Sequence, residues 1–293
     1  MKYYSFLFLI CVFSACSGSK QAVENEKSKT AETKTEIKIK DSIIEKTVAI
    51  ETIKPVNSKP KINDSLTSND ITQPIIGSLK KPHHNDFNEL LEAYVSDEGL
   101  VNYTGFKKRQ SDLQNYILYL GSSMPNDSWT KEDKLAYWIN AYNAMTIDLI
   151  LRHYPIKSIK DIKNPWDQRL WKLGEKWYNL NEIEHDILRK MDEPRIHFAI
   201  VCASFSCPKL QNKAFKSENL DGQLSEVTRE FLSDPNRNDI SENDIQLSKI
   251  FQWFAKDFKQ QGSLIDFLNV YSPTKISAKA KKSFKDYDWA LNE

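Results

Sequence analysis

Cysteine is scarce in this chain of 293 residues, and there is no excess of either charge, with 41 Lys and Arg against 40 Asp and Glu. There are four cysteines, and Cys11 and Cys16 lie near the N-terminus, so Cys202 and Cys207 are the only thiols of the remainder. The formal net charge is +1, which excludes a strong long-range pull on nucleic acid or on an anionic membrane. There is no P-loop, no GxGxxG, no zincin motif and no internal repeat. No apolar run is long enough to cross a bilayer as a helix, which takes about 20 residues. Between Ser17 and Pro82 there is no Phe, Tyr or Trp. Such a segment buries too little apolar surface to offset its ordering entropy, so it is expected to be a disordered tether.

The N-terminus supplies what the tether lacks. Met1 and Lys2 precede an apolar run from Tyr3 to Val12, in the manner of a secretory signal. In "VFSACSGSK" the small residues Ser14 and Ala15 stand directly before Cys16, and the stretch resembles a bacterial lipobox. That resemblance implies cleavage before Cys16 and acylation of its thiol, although Phe13 stands where a smaller aliphatic residue is commoner. The plainer alternative is an ordinary signal peptide with an incidental cysteine. The expected organisation is a signal peptide over 1–15, a lipidated Cys16 with its tether over 16–82, and a globular domain over 83–293. The expected place is the bacterial cell envelope, with the membrane as partner through the lipid and the domain facing the periplasm or the cell surface.

All seven tryptophans lie beyond residue 128, and the roughly 210 residues after the tether suffice for one domain with a proper core. Helical spacing predicts helices over 86–95, 107–120 and, most clearly, 131–153. In that last stretch Leu135, Trp138, Tyr142, Met145 and Leu149 follow one face, and alanines and isoleucines spread apolar surface to the others. Asp148 is the only charge between Leu135 and Leu151, so this helix should be central and buried, stopped by Pro155. Gly174 and Glu175 fit the turn of a hairpin between 170–173 and 176–180. Asn181 with Glu184 resembles a capping box opening a short helix whose inward line is Ile183, Ile187 and Met191. "HFAIV" then reads as a buried strand that ends in the loop "CASFSCP". Further helices are expected over 219–232, in "FQWFAKDF" and in "SLIDFLNVY", with a strand near 245–247. Without strict strand–helix alternation the class is α+β, a single domain with its buried helix packed on a small, mostly antiparallel sheet.

Asn140 and Asn143 would sit on that helix in apolar surroundings. An unpartnered buried amide costs about 1 to 3 kcal/mol, so they should bind backbone groups, each other or a site. Cys202 ends the expected strand, a common place for a reactive group on a rigid support. A thiol attacks as thiolate and needs a base or a helix N-terminus nearby. In a regular strand His197 would face the opposite side, roughly 16 Å away. His185 is the other candidate base, and Glu184 could orient an imidazole or cap its helix; both are also compatible with idle roles. His185, His197, Cys202 and Cys207 have zinc-ligand chemistry but match no standard spacing. A Cys202–Cys207 disulfide would close only a small loop.

The stretches "YWINAYNA", "WKLGEKWYNLNEIEHDILR", "RIHFAIVCASFSCPKL", "LSKIFQWFAKDF" and "YDWALN" resemble the bacterial and plant family called domain of unknown function 547. The resemblance runs from about Phe87 to Asn292. It implies no established reaction. It does imply that "WINAYN", "IEH" with "ILR", and the Cys202 loop form one constellation. Plant relatives carry Ser where Cys207 stands and need not carry His at 197, which points to Cys202 with His185. A long buried helix on a sheet bearing Cys and His is also similar in outline to papain-like and transglutaminase-like folds, although here His precedes Cys.

The expectation is therefore a pocket at Cys202, His185, Asn140, Asn143 and Glu184 that acts as a cysteine-dependent hydrolase or acyltransferase on a peptide or amide. Cys202 would be nucleophile, with its pKa lowered, His185 base, an Asn or Glu184 the orienter, and Cys207 a packed residue. The rivals are a non-catalytic module binding a small molecule or peptide, and a thiol redox protein. No cofactor, metal or nucleic acid is called for.

Overall fold

A computed structural model describes residues 81–260 and 262–293. The expected signal peptide, Cys16 and the tether up to residue 80 lie outside the described residues. Among the described residues thirteen helices and strands follow in order, interleaved with short 3-10 turns and one π turn. Helices α1 (Asn85–Tyr94), α2 (Tyr103–Lys108) and α3 (Gln110–Ser122) precede the long α4 (Lys131–His153). The hairpin β1 (Trp171–Leu173) and β2 (Lys176–Tyr178) leads into α5 (Leu180–Glu182). Then come α6 (Leu220–Ser233), β3 (Asp239–Ile240), β4 (Asp244–Leu247), α7 (Ile250–Trp253), α8 (Leu264–Tyr271) and β5 (Lys281–Phe284).

Helix α4 begins where sequence places it, because Thr130 and Asp133 form a reciprocal capping box. It ends before Pro155. Every residue from Leu135 to Leu151 is buried. Its one internal charge is neutralised locally: Asp148 accepts from Trp171 Nε1 at 2.8 Å and pairs with Arg152 at 2.7 Å. The Trp171 bond ties the central helix to β1.

The α+β class stands, with its strands in two small sheets. One is the antiparallel hairpin β1–β2, which packs on α3; the other has the order β3–β4–β5, antiparallel then parallel. Helix α4 makes its main contacts with helices and turns, chiefly α3, rather than with either sheet. The hairpin turn is as expected, with Gly174 at φ 55°, a conformation that side chains disfavour.

The helix after β2 starts two residues earlier than the Asn181–Glu184 pattern implies. Asn179 is the cap, its side chain accepting from the Glu182 N–H at 2.8 Å. A wide π turn over Ile183–Ile187 then shifts the helical register, so Leu188 is buried and Ile187 only partly. That shift carries Glu184 to the buried side.

Candidate functional site

The Cys202 loop is built on the central helix. Asn143 Nδ2 donates to the Ala199 carbonyl at 2.9 Å, and its Oδ1 accepts the Val201 N–H at 3.0 Å. This corrects the expected strand. Pro194 opens a 3-10 turn over Pro194–Phe198, and the backbone groups that a ladder would use are taken by that turn and by Asn143. Just past Cys202, Ala203 adopts φ 60°, a left-handed conformation that costs a non-glycine residue on the order of 1 kcal/mol. The chain thereby folds back, and the Cys202 N–H donates to Cys207 Sγ at 3.1 Å.

Both cysteines are free thiols. Cys202 Sγ lies 3.1 Å from Ser204 Oγ and 3.4 Å from the Tyr287 hydroxyl, which donates to Cys207 Sγ at 3.3 Å. Cys207 is buried and Cys202 is partly exposed. Pairing with the Cys207 sulfur, together with burial, pushes the Cys202 thiol well up. Burial also works against the Cys207 thiolate, but interactions with the Cys202 thiol, Ser204, Tyr287 and the Cys202 N–H outweigh it and bring its pKa down to about 6. The depressed pKa therefore falls on Cys207, where sequence reasoning put it on Cys202. The two sulfurs titrate as a coupled pair, and their contact with Ser204 and Tyr287 favours loss of the pair's first proton.

His197 and Cys202, expected on opposite faces, line one cleft of about 370 Å³, because no strand separates them. His185, Glu184 and Cys207 line it too. His197 Nε2 meets Asp257 Oδ2 at 2.8 Å, and the ring stacks on Phe254 at 4.0 Å. Burial holds the His197 pKa below its usual value. Burial opposes the Asp257 charge, but hydrogen bonds from His197 and from Arg189 hold its carboxyl well below the carboxylate range. Arg189 grips Asp257 with two bonds, at 2.6 and 3.0 Å, and its remaining arm meets His185 Nδ1 at 2.9 Å. A guanidinium can only donate, so His185 Nδ1 is the acceptor and its hydrogen sits on Nε2. Neither histidine hydrogen-bonds Cys202.

Glu184 is 9% exposed and accepts from the Tyr142 hydroxyl at 3.0 Å. Burial raises its pKa; the neighbouring His185, the Tyr142 bond and Arg189 pull the other way without cancelling the rise. Asn140 stands apart. Its amide donates to the Phe215 carbonyl at 2.8 Å and accepts the Phe215 N–H at 3.0 Å. Neither Asn140 nor Asn143 lines the cleft, and both spend their amides on backbone. The structure thus brings together Cys202, His185 and Glu184 and leaves the two asparagines as supports. Among the described residues no group of three or more His, Cys, Asp and Glu is arranged to hold a metal ion.

Sequence reasoning missed the residues of the C-terminal segment. It runs beside the Cys202 loop, with the Phe205 N–H on the Ala290 carbonyl at 2.7 Å and the Asn292 N–H on the Ala203 carbonyl at 3.2 Å. These bonds deliver Tyr287 and Trp289 to the cleft, where Trp253 joins them at 4.8 and 5.9 Å between ring centres. The only signal for them was the "YDWALN" stretch in the resemblance.

No curated protein and no solved structure matches this chain. A family model described as "Protein of unknown function, DUF547" matches residues 126–232, a span that holds α4, the Glu184–His185 turn and the Cys202–Cys207 loop.

Proposed function

We propose that the domain is a cysteine-dependent enzyme that hydrolyses or transfers the acyl group of an amide or peptide, with Cys202 as nucleophile. One observation carries this reading. Cys202, the more exposed of the two thiols, borders a cleft while its N–H bonds the Cys207 sulfur, whose surroundings favour the thiolate. Cys207 thiolate takes the Cys202 proton as Cys202 Sγ bonds to the carbonyl carbon. The carbon–nitrogen bond breaks, and the amine leaves with the proton now on Cys207. Water, or an acceptor amine, then cleaves the thioester and returns a proton to Cys202. His185, with its hydrogen on Nε2, suits donation to the carbonyl oxygen better than the role of base. Tyr287 and Ser204 steady both sulfurs.

The N-terminal sequence supports an anchored protein of the bacterial envelope, with lipid on Cys16 and residues 17–82 as tether. A second reading, thiol redox exchange between Cys202 and Cys207, is favoured by Tyr287, whose hydroxyl touches both sulfurs.

Incubation with p-nitrophenyl acetate and peptide mapping separates these readings. Acetyl carried by the Cys202 peptide, with turnover lost in Cys202→Ser, is expected. An unreactive Cys202 in the folded protein returns the domain to the class of binding modules. A reducible Cys202–Cys207 bridge in protein purified without reductant supports redox exchange.

A further inference from the structure

The cleft has the chemistry of a receptor for a positively charged amine. Its lining contains no Lys or Arg, and it contains two carboxylates, Asp167 at the exposed rim and Glu184 at the buried end. Glu184 Oε2 is held by Tyr142, whereas Oε1 accepts no hydrogen bond from the described residues and is not sealed from the cleft. Much of the rest of the lining is aromatic. Tyr287 lies 4.6 Å and Trp253 5.9 Å from Trp289, and Trp166 meets Trp289 edge-on at 6.0 Å. Trp253 is left 47% exposed, an uncovered ring of a size proteins usually bury.

Rings of this set already attract cations. The Lys160 ammonium sits 4.3 Å from the centre of Trp289, and the Arg189 guanidinium 5.1 Å from that of Phe254. Neither forms an ion pair with Glu184: Arg189 acts on it only through space, its arms being committed to Asp257 and His185, and Lys160 does not line the cleft. An ammonium entering between the rings would gain the cation–π attraction and reach the free oxygen of Glu184.

We propose that the ligand of this cleft carries an ammonium group that docks between the aromatic walls and Glu184, placing a linked carbonyl toward Cys202. This inference rests on the reading of Cys202 as the nucleophile for the placement of the carbonyl, but not for the binding of the cation.

The probes are N-(5-aminopentyl)acetamide and its uncharged counterpart N-pentylacetamide, followed by quenching of tryptophan fluorescence in the Cys202→Ser protein. That variant removes chemistry, so a failed acylation assay and a failed binding assay remain separate results. The charged amide should bind about tenfold more tightly than the neutral one. Glu184→Gln, which keeps a hydrogen-bonding partner for Tyr142, should reduce that preference to about twofold or less, and Asp167→Asn at the exposed rim should reduce it partly. Equal affinity for the two amides, tighter binding of 6-acetamidohexanoate, or no saturable quenching by any probe would overturn the proposal. If Glu184→Gln unfolds, the comparison in the Cys202→Ser protein still decides.

Discussion

Asn143 on the central helix carries the backbone of Val201: its Oδ1 accepts the Val201 N–H at 3.0 Å while its Nδ2 holds the Ala199 carbonyl. The residue that follows Val201 is Cys202, so the helix core fixes the reactive loop through one side chain. Replacing Asn143 with Ala leaves two buried backbone groups unpaired and should cost about 3 kcal/mol of stability in urea unfolding. Asn140→Ala should cost a similar amount through the Phe215 loop. Only Asn143→Ala should also change the alkylation rate of Cys202. Equal effects on that rate would deny Asn143 its positioning role.

His197 gives the fold a sensitivity to acid. Burial holds its pKa below 6.5, so below about pH 6.5 the unfolded chain takes up a proton that the folded protein refuses. Stability should therefore fall as pH falls, by up to about 1.4 kcal/mol per pH unit for each such group. His84, which burial lowers to about 4, contributes with the same sign. Asp257 adds a loss at lower pH, since its depressed pKa contributes stability above the unfolded value of about 3.9 that disappears below it. Urea titrations at pH 7, 6 and 5 should show a shallower slope in His197→Gln than in the wild type. Identical slopes would show that His197 takes up its proton in the fold as readily as in the unfolded chain.

Asp148 is a buried charge whose partners need it. In Asp148→Ala the Trp171 indole N–H loses its acceptor inside the core, while Arg152 can turn to water. A loss of about 3 kcal/mol is expected. A change within about 0.5 kcal/mol would show that the network adds nothing to stability.

How much of this was legible follows from the kind of signal each part leaves. Helix α4 was plain, because 23 residues with helical spacing and a terminating Pro155 admit one reading. The buried asparagines were legible as needing partners, but not as to which backbone they would meet. The segment from His197 to Val201 misled, because a short apolar run looks the same in a strand and in a buried turn. The error mattered, since it separated His197 from Cys202. The π turn at Ile183–Ile187 has no periodic signature, so the burial of Glu184 was invisible. Tyr287 and Trp289 reach the cleft through backbone bonds to a loop more than 80 residues earlier in the chain, which local sequence does not encode.

The anchor predicted from Cys16 lies outside the described residues and can be tested apart from the domain. Cys16→Ser should move the protein from the detergent phase to the soluble fraction. Removing residues 1–80 should leave the melting temperature unchanged, since the truncation retains Lys81 and its ion pair with the buried Asp133. A large drop in melting temperature would mean that the segment packs on the domain.

The rate of iodoacetamide alkylation of each thiol against pH, resolved by peptide mass, tests most directly the claim that Cys202 and Cys207 titrate as a coupled pair and that Cys202 is the nucleophile. In the wild type, label should fall on Cys202, with the rate rising at a pH near 6, where Cys207 first gives up its proton. In Cys207→Ser the rise should move to about the free-thiol value of 8.5 or above, and His185→Ala should move it little. An unchanged Cys202 profile in Cys207→Ser, or a Cys202 that stays unlabelled until the protein unfolds, would contradict the coupled titration and the nucleophile together.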